Sequence, residues 1–184
     1  MAQLARFYKV PIYSLGGGVE GKVPDAETAS EAMMSMLLNG LAGINLNQSL
    51  GSMAFGLYGS QEQVVICDEI ARMIKHVLRG IVVDDDTLAL DVIREAGYGG
   101  SFLGADHTVR HFRKELYFPL LFQRKTIDQW LDGGAKMSHQ IAHERVQAIL
   151  AKAGPVSLPA SVDAALEQAL NDALRETDRI AGRK

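Results

Sequence analysis

The histidines are the residues whose spacing points most directly to chemistry. His107 and His111 lie four residues apart, as do His139 and His143, and that spacing sets two imidazoles on one helix face, where they can chelate zinc. The second pair sits in His139-Gln140-Ile141-Ala142-His143, with Gln140 where a zinc protease of this pattern carries its glutamate base. No third cluster of cysteine or histidine joins either pair, so no metal is expected and both pairs suit surface or interhelix histidines. His107 is the better placed for a ligand, because it follows a glycine-rich loop and falls in the first turn of an expected helix. The run Asp84-Asp85-Asp86 precedes a helix and reads as a cap with first-turn charge rather than a metal site.

A second candidate is the stretch Gly16-Gly17-Gly18-Val19-Glu20-Gly21-Lys22-Val23-Pro24-Asp25. It fits GxGxxG and most of GxxxxGK[ST], and both matches fail on named residues. Val23 stands where a phosphate loop needs a hydroxyl for magnesium, and Pro24 removes an N–H. Glu20 adds a negative charge inside the supposed anion cradle. The acid that a dinucleotide site needs about 20 residues on is missing from Gly40–Asn45. No GxSxG elbow occurs, and the single Cys67 reads as a small core residue on a helix.

The elements that would position these residues alternate in the first half. A helix over Ala2–Tyr8 precedes a strand over Val10–Leu15. A helix capped by Asp25 runs to about Asn39, and a second strand covers Ala42–Leu46. A glycine-punctuated loop, Asn47–Ser60, leads to a strongly periodic helix over Gln61–Leu78. Further helices are expected at Thr87–Ala96, from Asp106 or Thr108 to Glu115, after Thr126, over Ala135–Ala153, and from Ser161 onward, with a hinge at Gly154-Pro155 and Pro159. Ser101–Gly104 reads as extended, and Leu116–Phe122, interrupted by Pro119, as a packed irregular segment. Strand and helix in alternation argue for parallel strands joined by crossovers. The few strands fall short of a closed eight-stranded barrel, which takes about 250 residues.

Composition narrows the classes. The 184 residues are 47% apolar and 22% charged with net charge -3, ordinary for a soluble globular chain. The mixed charge gives no basic face for nucleic acid, and no apolar run approaches membrane-spanning length, so a cytoplasmic protein is expected.

Five ordered segments resemble one family: Lys22-Val23-Pro24-Asp25-Ala26; Gly40-Leu41-Ala42-Gly43-Ile44-Asn45-Leu46; Glu69-Ile70-Ala71-Arg72-Met73-Ile74-Lys75; Gly80 to Ile93; and Gly99-Gly100-Ser101-Phe102-Leu103-Gly104 with His107-Thr108 and Arg110-His111-Phe112-Arg113. These are similar to the trimethylamine methyltransferase family, which includes homologues acting on glycine betaine and related quaternary amines. The resemblance implies an α/β fold: the C-terminal βα units of a TIM barrel over 1–125 and a helical C-terminal extension over 126–184. It implies a piece of a longer enzyme, consistent with the abrupt start at Met1, that moves a methyl group from a methylated amine to cobalt. The corrinoid would be supplied by a cognate partner protein rather than bound directly, and the full-length form would be a homo-oligomer in the cytoplasm.

Substrate contacts expected from the resemblance are Glu20, Gln48, Phe55, Phe102 and His107, and the corrinoid would be met at Gly17, Gly18 and Gly51. Tyr13, Tyr58 and Tyr98 lie beside the same loops, where each suits rim packing equally. No catalytic residue is assigned. Trimethylamine members carry pyrrolysine in the glycine-loop region, whereas Gly16–Gly21 here holds ordinary residues, which implies the non-pyrrolysine branch. Gln48 stands where betaine-type members offer a histidine, and glutamine can donate a hydrogen bond but carries no charge. The alternative is a non-catalytic remnant or binding module that exposes barrel edge strands, which would make the isolated chain poorly soluble.

Overall fold

The computed structural model describes residues 1–152, 154 and 158–180. The chain forms two compact units, Met1–Ala148 and Ile149–Lys184.

In the first unit, helix α1 (Ala2–Tyr8) stops at Lys9, which adopts a left-handed φ of 55°. Strand β1 is Tyr13–Leu15, shorter than the expected Val10–Leu15. The residue before it, Ile12, pairs instead with Asn45, whose side-chain oxygen accepts from Ile12 N at 3.0 Å. Helix α2 (Ala26–Ala42) begins where Asp25 predicts. Asp25 Oδ1 accepts from Glu27 N and Thr28 N, and Thr28 Oγ1 accepts from Asp25 N, closing a capping box.

The helix runs three residues past the expected end, and the strand placed at Ala42–Leu46 lies instead at β2, Leu46–Gln48. Gly43 takes the left-handed C-cap, and Ile44 N returns to Asn39 O at 3.0 Å, so these apolar residues finish a helix before the strand starts. β1 and β2 are parallel, with Tyr13 opposite Leu46 and Leu15 opposite Gln48. The expected loop between Asn47 and Ser60 contains a two-stranded antiparallel ribbon, β3 (Ser52–Met53) and β4 (Tyr58–Gly59), closed by a 3-10 turn at Ala54–Gly56.

Helix α3 (Gln61–Leu78) packs on α2. Ala32 and Met36 meet Ile66, Cys67, Ile70 and Ile74 in a core completed by Val19, Met53, Leu121 and Ala142. Cys67 is fully buried, and burial pushes its thiol pKa up. A polar tie crosses from this core to the irregular segment 116–122. The Glu69 carboxylate, 3% exposed, accepts from Leu120 N at 2.8 Å, Leu121 N at 2.7 Å and the Tyr117 hydroxyl. Burial and that hydrogen bond push the Tyr117 hydroxyl up to about 12.

The expected helix Thr87–Ala96 is two helices, α4 (Asp85–Leu88) and α5 (Leu90–Ala96), broken where Ala89 takes a left-handed φ of 51°. Ser101–Gly104 forms a turn closed by Ala105 N to Phe102 O at 3.1 Å rather than an extended piece. Helix α6 (Asp106–Glu115) starts from Ala105 without a side-chain cap, so neither Asp106 nor Thr108 serves as one. Helix α7 (Ile127–Asp132) has the Thr126 cap that the sequence predicts. Helix α8 (Ser138–Lys152) follows. In the second unit, helix α9 (Ala160–Ile180) begins one residue before Ser161, and Val162, Leu166, Leu170 and Leu174 form an exposed stripe at i, i+4 spacing. Pro155 and Ala153, part of the expected hinge and helix end, lie outside the described residues. No helix among the described residues is long and apolar enough to cross a membrane.

Two stability predictions follow from the Glu69 tie. Glu69→Ala leaves two backbone donors without their buried acceptor and should lower unfolding free energy by about 3 kcal/mol in a urea titration. Because the folded Tyr117 pKa lies above its usual 10, its contribution is intact below pH 10 and lost as pH rises toward 12, and Tyr117→Phe should flatten stability across that window.

Candidate functional site

Parallel pairing of β1 and β2 brings their C-terminal ends side by side, and the loops that leave them interlock. Gly16 N donates to Gln48 O at 3.2 Å, Val19 N to Ser52 O at 3.0 Å, and Ala54 N to Gly21 O at 3.2 Å. The Tyr58 hydroxyl donates to Lys22 O. Five of the sequence-predicted residues, Gly17, Gly18, Glu20, Gln48 and Gly51, therefore lie on two loops held to each other, with Phe55 on the adjoining turn.

The glycines differ in what they do there. Gly17 and Gly51 are buried with φ of 89° and 82°. A Cβ on them would stand 2.7 Å from Leu50 Cδ2 and 2.3 Å from Val64 Cγ2, so their missing side chains let the chain pack on itself. Gly18 is exposed. The N–H groups of Glu20 and Gly21 point at Glu31 Oε2, at 2.7 and 3.4 Å, so a carboxylate from α2 occupies the place a phosphate would need. Glu31 carries no motif and could not be found from sequence.

Alternation along the strands puts Tyr13 and Leu15 of β1 on one face with Leu46 and Gln48 of β2. That face is open: Tyr13 is 63% exposed, Leu15 66% and Leu46 62%. The intervening Ser14 and Asn47 are half-buried, and Asn39 on α2 donates to Asn47 Oδ1 at 2.7 Å and Leu15 O at 2.8 Å. Gln48 thus ends its strand on the open face. Phe55 is exposed, with a left-handed φ of 59°, and Lys22 Nζ lies 5.8 Å from its ring centroid. A bulky residue in that conformation is strained, and strain of this kind concentrates at functional loops. The ring face already receives a cation.

Phe102 and His107 are not brought to these loops. They belong to 81–115, where His107 and His111 stack at 4.2 Å and both approach Asp86. A cavity of about 550 Å³ beside them is lined by Glu95, Ser101, His107 and Arg110 among others. Of the second histidine pair, His143 Nδ1 meets Glu62 Oε1 at 2.9 Å, and His139 and His143 both border a largely apolar cavity of about 750 Å³ with Val23, Met53 and Tyr58. The His143 hydrogen bond, followed by the Glu62 and Ser60 contacts at the start of α3, holds the Glu62 carboxyl down at about 2.

Comparison with known proteins identifies the relatives of this arrangement. The family model described as trimethylamine methyltransferase matches residues 1–177. The chain is 38% identical over 159 residues to a trimethylamine methyltransferase of Desulfitobacterium hafniense (strain DSM 10664 / DCB-2), covering 86% of this chain and 32% of that protein. It is 39% identical over 158 residues to the glycine betaine methyltransferase of Desulfitobacterium hafniense (strain Y51), covering 85% of this chain and 33% of the relative. A trimethylamine methyltransferase of Methanosarcina barkeri is 36% identical over 150 residues, 82% of this chain and 30% of its own. The chain thus spans about a third of the length of these curated relatives.

The Glu62–His143 contact has a pH signature. Glu62 has its pKa lowered from 4.5, so its contribution to stability is present above pH 4.5 and lost as pH falls toward 2. His143→Ala should raise the Glu62 pKa toward 4.5 in a carbon-13 NMR titration of the side-chain carboxyl. An unchanged Glu62 titration would show that the histidine is not its main partner.

Proposed function

Because this chain belongs to the trimethylamine methyltransferase family, we propose that it supplies the C-terminal βα units of a TIM-barrel methyltransferase, and that the complete enzyme moves a methyl group from a methylated amine to the cobalt of a corrinoid protein. The substrate is a quaternary amine of the non-pyrrolysine branch. The observation that carries the assignment is the open face of β1 and β2. One face is covered by α2 and the other, bearing Tyr13, Leu15, Leu46 and Gln48, is apolar and uncovered, as expected of barrel strands whose inner face is closed by the remaining strands. On this reading Gln48 sits at the C-terminal rim of the barrel interior, where barrel enzymes keep their chemistry.

The residues present do not fit a resident corrinoid. Gly17 and Gly51 are filled by their own chain's Leu50 and Val64 and leave no cradle for a macrocycle. This supports a corrinoid carried by a partner protein, whose cobalt would accept the methyl group, and the exposed Gly18 is the glycine of the three that could face it. This chain's own residues act on the amine. The Phe55 ring offers a cation face and Glu20 a carboxylate, both stabilising a positive nitrogen. Gln48 donates a hydrogen bond to the rest of the substrate. Closing the apolar face excludes water and fixes the methyl group toward its acceptor.

In methyl-transfer assays of the complete enzyme, Phe55→Ala should raise KM for a quaternary amine about tenfold, since a cation–π contact contributes about 1–2 kcal/mol. Gln48→His should shift preference toward amines that also carry a carboxylate. Absence of transfer to a corrinoid protein from every amine in a panel of methylated amines would overturn the proposal.

A further inference from the structure

We propose that Asp86, His107 and His111 form a binding site for one divalent transition-metal ion of the zinc type. The three ligand atoms converge from two elements. His107 and His111 lie one turn apart on α6, their rings stacked with an interplanar angle of 20°. Both Nε2 atoms point at Asp86 on α4: His111 Nε2 is 3.0 Å from Oδ2, and His107 Nε2 is 3.9 Å from Oδ1. One carboxylate oxygen and one ring nitrogen of each histidine lie within 4.8 Å of one another. Zinc bound at its usual 2.0–2.2 Å holds tetrahedral ligand atoms about 3.3 Å apart. Small side-chain rotations therefore close the set around an ion.

A fourth donor is at hand. The Asp86 main-chain oxygen is 2.7 Å from His107 Nε2. Two imidazoles, a carboxylate and a carbonyl make a mixed nitrogen and oxygen set suited to a borderline divalent cation.

The supports are in place before any ion arrives. Asp84 accepts from Thr87 N at 2.8 Å, and Thr87 Oγ1 donates to Val82 O at 2.9 Å, which fixes the turn that presents Asp86. The two imidazoles are only 18% and 16% exposed, so their rings are held, while Asp86 at 61% leaves coordination positions open to water or a further ligand. Without an ion, each Nε2–H donates to Asp86. With an ion bound, those protons move to Nδ1 or leave, and Asp86 turns from hydrogen-bond acceptor to ligand. Arg110 Nη2, 3.7 Å from Asp86 Oδ1, is exposed and can swing away as the metal charge replaces its own.

The test is zinc binding to the whole chain, measured by competition with a chromophoric chelator, with no amine or corrinoid protein present, so its outcome is independent of the methyl-transfer reading. One ion per chain should bind with a micromolar or tighter Kd. His107→Ala, His111→Ala and Asp86→Asn should each weaken it at least about 100-fold. The paired control His139→Ala with His143→Ala should leave it unchanged. In the unsubstituted chain, nitrogen-15 NMR should show zinc shifting the Nε2 resonances of His107 and His111, a readout that does not depend on any variant folding. Binding only at millimolar zinc, binding that follows the His139 pair, or Nε2 resonances that do not move would overturn the site.

Discussion

Two strands with a helix layer on one side cannot bury both faces, and that constraint governs this chain. α2 lies against the side of β1 and β2 that carries Ser14 and Asn47, and the main apolar core lies between α2 and α3. The opposite side presents Tyr13, Leu15 and Leu46 to water. Burying a side chain of that size contributes about 1.5–3 kcal/mol, so three of them left open are a substantial deficit that further strands would remove. The same geometry gathers the loops at one end: parallel pairing aligns the strand ends, alternation puts Gln48 on the open face, and the loops that carry Glu20 and Phe55 are hydrogen-bonded to each other.

Polar contacts join the apolar packing of Leu121 and Ala142 in holding the core to the following segments. Glu69 fixes 117–121 through two backbone donors and a tyrosine hydroxyl. At the end of the same helix, Arg79 binds Lys114 O and the Glu115 carboxylate, and His76 donates to Glu115 O. α6 is thereby anchored at its C-terminal end, while its N-terminal end is tied to α4 through the histidines and Asp86.

Local chemistry was legible in the sequence and long-range chemistry was not. Asp25, Asp84 and Thr126 cap their helices because a capping side chain acts within three residues. The strand expected at Ala42–Leu46 is displaced because Gly43 could serve either a helix end or a turn before a strand, and only the Ile44 bond to Asn39 separates the two. Ala89 breaks the helix after Asp84 without any glycine or proline to announce it. Glu31 and Glu69 act on partners 10 to 52 residues away and have no motif. The run Asp84-Asp85-Asp86 shows both cases at once. Asp84 is the cap that spacing predicts, while Asp86 faces two histidines 21 and 25 residues on, a carboxylate partner that a search for cysteine and histidine passes over. The paired loops carrying Gly17, Gln48 and Gly51 were identifiable as glycine punctuation, and the fold shows two of those glycines supporting the loops' own packing.

The proposed function puts a methylated amine at the C-terminal ends of β1 and β2, against Phe55 and Gln48. The direct measurement is an isotope-filtered nuclear Overhauser experiment on the complete labelled enzyme with an unlabelled quaternary amine, reading contacts from the N-methyl protons. Contacts to the Phe55 ring and the Gln48 side-chain amide are predicted. Contacts confined to Met53 and Tyr58 in the separate apolar cavity beside Glu62, with none to Phe55 or Gln48, would contradict it.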